Sequence, residues 1–193
     1  ALSGGLDSTV LLHTVNDWRR THPAAPELHA VHVNHQLSPD SGAWQRQCVT
    51  LCRDLGIQLA TEAVVLQPDG GGLEEAARRA RYAVFERLLG PGDCLFMAHH
   101  LDDQVETFLL RLLRGAGLRG LTAIPPRRPL GQAHLVRPLL EVSRAALESA
   151  ARERGLIWVD DPSNSDPELD RNYVRHELLP VIAARCLRHG VPN

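Results

Sequence analysis

Two stretches of this chain carry residue types at spacings that can do chemistry. The first is Ser3-Gly4-Gly5-Leu6-Asp7-Ser8, followed at once by the apolar run Thr9-Val10-Leu11-Leu12. Two glycines give a backbone open to unusual angles, with no Cβ to hold a ligand off. Ser3, Asp7 and Ser8 supply short polar side chains where a helix start leaves amides unpaired. Free amides at the positive end of a helix make an anion site, and a phosphate suits it. A Gly-Gly turn capping an ordinary helix would read the same from six residues. The patterns GxxxxGK(S/T) and GxGxxG are absent. All 21 basic residues are arginine, so the charge of a polyphosphate must be met by Arg, a metal ion or backbone amides.

The second stretch is His99-His100-Leu101-Asp102-Asp103-Gln104-Val105-Glu106-Thr107. On a helix, Asp103 and Glu106 are i, i+3 neighbours, and Asp102 and Glu106 are i, i+4 neighbours. Carboxylates at this spacing can share a divalent cation. Mg²⁺ takes one or two of them and completes its shell with phosphate oxygens. They can equally hold a substrate ammonium group, or form no more than a solvated acidic first turn, which is the better reading for Asp102 alone. His99 and His100 lack the third His or Cys nearby that a zinc site needs. With His32 and His35 they read as strand-end histidines that bond locally or touch a ligand. Arg78 and Arg81 share one helix face, while Arg79 reads as solvated. Arg114 and Arg119 sit in a Gly-rich loop and suit bidentate phosphate contact. Late in the chain, Asp160, Asp161, Ser163, Asn164 and Asp166, then Arg171, Asn172 and Arg175, form a run dense in donors and acceptors.

Elements must position these residues. Apolar periodicity predicts helices over 7–20, to Leu55 with Gly56 closing it, 73–89, 101–114, 143–154 and 170–179. It predicts strands over 28–34, 57–66 and 93–98. Strands alternating with helices imply an α/β fold, a parallel sheet with helices on both faces. Ligands in such sheets bind beyond the carboxyl ends of the strands. Ser3–Ser8, Asn34–Ser38 and His99–Asp103 all follow strand ends, so all three should face one crevice. After Arg114 the pattern turns Gly-rich, and Ile124 to Pro129 reads as extended. The chain therefore reads as one domain over 1–193, with an α/β core over 1–124 and a helical extension over 125–193 packed on it.

The totals narrow the class. With 193 residues, 44% hydrophobic and 23% charged, the composition is that of an ordinary globular protein. No apolar run has membrane-spanning length and no signal-peptide pattern is present, so no membrane partner is expected. Cys48, Cys52, Cys94 and Cys186 form no CxxC pair, and reduced thiols in a cytoplasmic setting are expected. A net charge of −2 is not that of a dedicated nucleic-acid binder, so such a partner would need a local Arg patch. A loop like Ser3–Ser8 normally follows a buried strand, and Ala1 and Leu2 alone precede it; the chain is expected to lack its first strand.

The opening string resembles the SGGxDS signature of the PP-loop ATP pyrophosphatases, complete at Ser3, Gly4, Gly5, Asp7 and Ser8. A narrower resemblance, to the N-terminal catalytic domain of the tRNA(Ile)-lysidine synthase family, is carried in order along nearly the whole chain. Its pieces are Leu2–His13, His32–Ser38, Ala77–Tyr82, His100–Thr107, Arg114–Leu121, Arg137–Leu140, and Asp161–Asp166 with Arg171–Arg175 and Leu179-Pro180.

The resemblance implies a Rossmann-like, adenine nucleotide alpha hydrolase-like domain that uses ATP and Mg²⁺. It implies free L-lysine and the isoleucine tRNA with a CAU anticodon as partners, and allows a homodimer. The implied reaction is a C–N ligation: lysine joins C2 of the wobble cytidine through an adenylated tRNA, with release of pyrophosphate and AMP. It places Ser3, Gly4, Gly5, Leu6, Asp7 and Ser8 on the nucleotide's pyrophosphate end. Asp7, Arg81, Asp103 and Glu106 become the catalytic set, Asp103 and Glu106 the metal or lysine ligands, and Arg81 and Arg114 contacts to phosphate or tRNA. The family's C-terminal tRNA-binding domains are expected to lie outside these 193 residues. Other readings are a PP-loop tRNA thiolase, against which the lack of CxxC argues, an amide-forming synthetase, and a nucleotide-binding fragment inactive on its own.

Overall fold

The computed structural model describes residues 1–66, 72–161 and 170–188. Helix α1 (Leu6–Thr21) leads to strand β1 (His29–Asn34), α2 (Ser41–Leu55), β2 (Gln58–Ala63), α3 (Gly72–Leu88), β3 (Cys94–Phe96) and α4 (Leu101–Leu113). Strands β4 (Arg127–Leu130) and β5 (Ala133–Val136) follow, then α5 (Arg144–Glu153), α6 (Asp170–Tyr173), a π-helical turn (Val174–Leu178) and α7 (Leu179–Arg188). The α/β alternation expected through residue 113 is present, with boundaries close to those expected.

β1 and β2 pair in parallel, from His29 opposite Gln58 to Asn34 opposite Ala63. A second sheet has the order β3-β5-β4. The backbone of Ala1 and Leu2 joins the two: the Leu2 amide donates to Val31 O (2.8 Å), and the Ala1 nitrogen to Phe96 O (2.7 Å). β5 runs parallel to β3 and antiparallel to β4. With the hairpin β4–β5 the sheet continues past residue 124. Four-residue strands with Arg and Pro give little alternation to read, and the turn signal is a lone Gly131 at φ +55°, which a two-residue hairpin turn requires.

The sheet is covered on both faces because side chains alternate along each strand. Ala30 packs with Leu2, Leu12, Cys48, Cys52 and Ile57 beneath α1 and α2. The adjacent Val31 and Val33 point the other way, against Phe85 of α3 with Leu95, Met97, Leu130 and Leu135. Phe96 and Ala98 face a third cluster, in which Leu6, Val10 and Leu11 of α1 meet Leu147 and Ala151 of α5. The segment expected to be an appended extension thus completes the core. α5 starts cleanly because Ser143 Oγ accepts from Ala146 N (3.2 Å), an N-cap bond.

Candidate active site

The loop at Ser3–Ser8 is organised by one hydroxyl. Ser8 Oγ accepts from the amides of Ser3 and Gly4 (3.2 Å each) and donates to Gly5 O (3.1 Å). Ser3 Oγ lies 3.0 Å from the same atom. Leu6 is buried in the core and faces the loop with its backbone alone. No side chain caps the start of α1, which leaves the amides of its first turn directed at the loop. The two glycines differ. Gly4 has φ +92°, and an added Cβ would lie 3.0 Å from Cys48 Sγ. Gly5 has an ordinary φ of −72°, and its added Cβ would meet nothing closer than 3.6 Å. Gly4→Ala should therefore cost about 2 kcal/mol through strain and lower the melting temperature by roughly 4–8 °C. Gly5→Ala should melt like the wild type, which differential scanning calorimetry will show.

Asp7, at the first turn of α1, meets the start of α4. His100, 2% exposed, has its Nε2 3.7 Å from Asp7 Oδ2 and 3.5 Å from Asp103 Oδ2. The Asp103 carboxylate also accepts from the His100 amide (3.0 Å) and so fixes the helix start. Arg144 Nη1 reaches Asp7 Oδ2 at 3.3 Å, while Asp7 Oδ1 is buried without a protein partner. Burial pushes the Asp7 carboxyl up, against the opposing pull of His100 and Arg144. Asp102 accepts from the Arg144 amide (2.8 Å) and so anchors α5, with its Oδ2 3.6 Å from His100 Nδ1.

Glu106 is fully buried and clasped by arginines. Arg175 Nε donates to Oε1 (2.6 Å), and Arg171 Nε lies 3.4 Å from Oε2. Arg171 also reaches Asp103 Oδ1 (3.6 Å) and donates to Thr107 Oγ1 (3.3 Å). Burial works against the charge on Arg175, but its bond to Glu106 and the nearby Asp103 and Asp7 raise its pKa. Arg171 and Arg175 were legible as part of the late polar run; Asn164 and Asp166 lie outside the described residues.

Among the described residues, no group of three or more His, Cys, Asp or Glu is arranged to enclose a metal ion. Asp7 with its orphaned oxygen and Asp103 beside it nevertheless fit Mg²⁺, which needs no more than two carboxylates when phosphate oxygens complete its shell. Glu106 is a further candidate: its Oε1 accepts from Arg175, while its Oε2 is buried without a hydrogen-bond partner, 3.4 Å from Arg171 Nε.

The remaining candidates fall elsewhere. His32 Nδ1 donates to Leu2 O (2.9 Å) and is a structural residue. His99 Nδ1 accepts from Arg137 Nε (3.3 Å). Arg81 Nε and His35 Nδ1 are both buried without partners. Arg114 pairs with Asp170 (2.7 Å) on the exposed surface. Sequence reading gave no role to Arg144 or Arg128, and quoted Arg137 only within the piece Arg137–Leu140, because their surroundings depend on α5 and the unforeseen hairpin.

His99 also makes stability depend on pH. Burial first, then the charges of Arg137, Arg171 and Arg81, hold it at about 4 against the pull of Asp103, whereas its ordinary value is 6.5. Between those values the unfolded chain binds the extra proton, so the His99 contribution to stability is lost as pH falls from 6.5 to about 4. Melting temperatures should drop across that window, and His99→Gln should flatten the drop.

An anion loop at the start of α1, facing paired acids at the start of α4 across the strand ends of a largely parallel sheet, defines a phosphate-binding class of α/β domain. The chain belongs to the PP-loop domain family, whose model matches residues 1–182. Within it, the chain is similar to tRNA(Ile)-lysidine synthases: it is 51% identical to that of Pseudomonas putida over 96% of its own length and 43% of the relative's. It is 52% identical to that of Pseudomonas aeruginosa (98% and 45%) and 48% identical to that of Salmonella paratyphi B (96% and 43%). The chain thus spans less than half the length of these curated relatives. Its fold is similar to that of the U34-tRNA thiolase of Methanococcus maripaludis, solved with its iron–sulfur cluster, with a TM-score of 0.73 over 98% of this chain and 66% of that one, at 17% identity.

Proposed function

We propose that this domain carries out the ATP-dependent joining of free L-lysine to C2 of the wobble cytidine in the CAU-anticodon isoleucine tRNA. The observation that carries the reading is His100 Nε2 lying within 3.7 Å of both Asp7 and Asp103. This proximity of the Ser3–Ser8 loop to the acids of α4 supports a two-step transfer within one site. The identity of about half to lysidine synthases supports lysine as the acceptor.

The loop Ser3–Ser8 holds the leaving pyrophosphate with its backbone amides, which stabilise the charge that develops as the cytosine O2 attacks the α-phosphate. Asp103 and Glu106, with Asp7 beside them, would hold Mg²⁺, which when bound would offset negative charge on the phosphates. Asp103, on the acceptor side, and the Glu106 centre position the lysine ammonium group. Once that amine has lost its proton it attacks C2, and AMP departs. Arg81 contacts phosphate. The reaction belongs in the cytoplasm, where Cys48, Cys52 and Cys94, all free thiols here, remain reduced. Among the described residues no helix is long and apolar enough to cross a membrane.

ATP labelled on its α-phosphate tests this. With isoleucine tRNA alone the label should pass to tRNA; with lysine added it should leave as AMP. AMP release that ignores lysine, or that requires ammonia or a sulfur donor instead, sinks the reading.

A further inference from the structure

Four arginines gather about one tyrosine beside this centre. The guanidinium carbons of Arg78 and Arg128 lie 5.0 and 4.8 Å from the centre of the Tyr82 ring. Arg137, 5% exposed, donates to His99 Nδ1 (3.3 Å) and to Pro125 O (2.6 Å), both uncharged acceptors. Arg81 has a buried Nε without a partner, as does His35 at Nδ1. The concentrated positive charge marks the neighbouring groups. Burial alone would push the Tyr82 phenol up, yet its pKa falls because Arg128, Arg78 and Arg137 surround it. His35 is lowered by burial and then by Arg81. A chain with a net charge of −2 thus collects like charges at one place, an arrangement that an anion would stabilise.

The position of the cluster indicates which anion. Arg137 donates to His99, the neighbour of His100, whose Nε2 lies 3.5 Å from Asp103 Oδ2 and 3.7 Å from Asp7 Oδ2, so the cluster borders the acidic centre. The nucleotide loop borders the same centre through Asp7 and His100. The triphosphate already has its cradle at Ser3–Ser8, which leaves the arginines for a second source of phosphate. Guanidinium groups stack on Tyr82, so the ring braces them rather than a base, and the contact is to backbone phosphate rather than to a base edge.

We propose that Arg78, Arg81, Arg128 and Arg137 form a phosphodiester-binding patch with which this domain grips the RNA strand next to the nucleotide it modifies. The proposal rests on the RNA-modifying reading above and adds a contact surface within this domain itself.

Filter binding of the chain to isoleucine tRNA and to an unrelated tRNA, over a range of salt concentrations, tests it. Each lost phosphate contact lowers the slope of log affinity against log salt by about 0.7–0.9. Arg78→Gln/Arg128→Gln should therefore weaken both tRNAs by roughly 10-fold at low salt and reduce the slope by about 1–2, with ATP affinity by calorimetry unchanged. Arg78→Glu alone, at an exposed position of α3, should weaken binding in the same direction and serves if the double variant fails to fold. Unchanged tRNA affinity and slope overturn the proposal, as does a wild-type chain that binds no tRNA at low salt. Lost ATP affinity with tRNA binding intact also overturns it and assigns the arginines to the triphosphate. If the variants lose tRNA as expected but the wild type shows no lysine-dependent AMP release, the patch stands and the lysidine reading fails.

Discussion

Asp7→Asn should raise the melting temperature and stop turnover together. Burial raises the Asp7 carboxyl's pKa, with His100 and Arg144 offsetting it only in part, so the fold favours the neutral form. The sign follows by linkage: the penalty is absent below the unfolded carboxyl's pKa and is complete once pH has risen through the higher folded value. At neutral pH the charged Asp7 therefore destabilises the protein, and Asn removes that cost while keeping the shape. Lysine-dependent AMP release should fall by at least ~100-fold, the scale on which loss of one charge-stabilising group acts. A melt at neutral pH and an assay on the same preparation check both halves. Wild-type turnover in this variant would end the assignment of Asp7. Such opposition between stability and activity is typical of functional groups held in unfavourable surroundings.

Glu106→Gln should do the reverse to stability. Its carboxylate is wholly buried and bonded to Arg175 at 2.6 Å. Breaking a buried pair costs about 3–5 kcal/mol, but the Arg175 and Arg171 side chains are 23% and 40% exposed and recover some hydration. A loss of about 2–3 kcal/mol remains, lowering the melting temperature by roughly 5–10 °C. Turnover should fall as well, because Arg171 also faces Asp103. Glu106→Gln combined with Arg175→Gln should cost less than the sum of the single changes, since the two share one interaction. Strict additivity in the cycle would show that the clasp contributes nothing.

Much of this was legible because local signals agreed. The apolar, partly β-branched residues of β1 and the glycines after α2 and α3 placed the early units, and the rule of strand ends brought the loop and the acids to one side. Three things escaped. The β4–β5 hairpin has too few apolar residues to announce a strand, and its pairing with β3 is long-range. Asp7 and Arg144 meet through tertiary packing across 137 positions, which no local pattern encodes. The distinct duties of the two glycines depend on Cys48, a buried side chain of α2 that sequence reading had weighed only as a thiol.

The π-helical turn has a consequence for the end of the described chain. Such a turn is an α-helix accommodating one surplus residue, and the strain persists where a side chain is needed in that phase. Here Arg175 sits within it, beside the fully buried Val174. Regular α-helical winding of the same residues, Val174 to Leu178, would swing everything after them by about 100° about the axis. Val181 and Ile182, exposed now, would turn to a different side of the molecule. The compass bearing of α7 is thereby tied to the hold on a single glutamate.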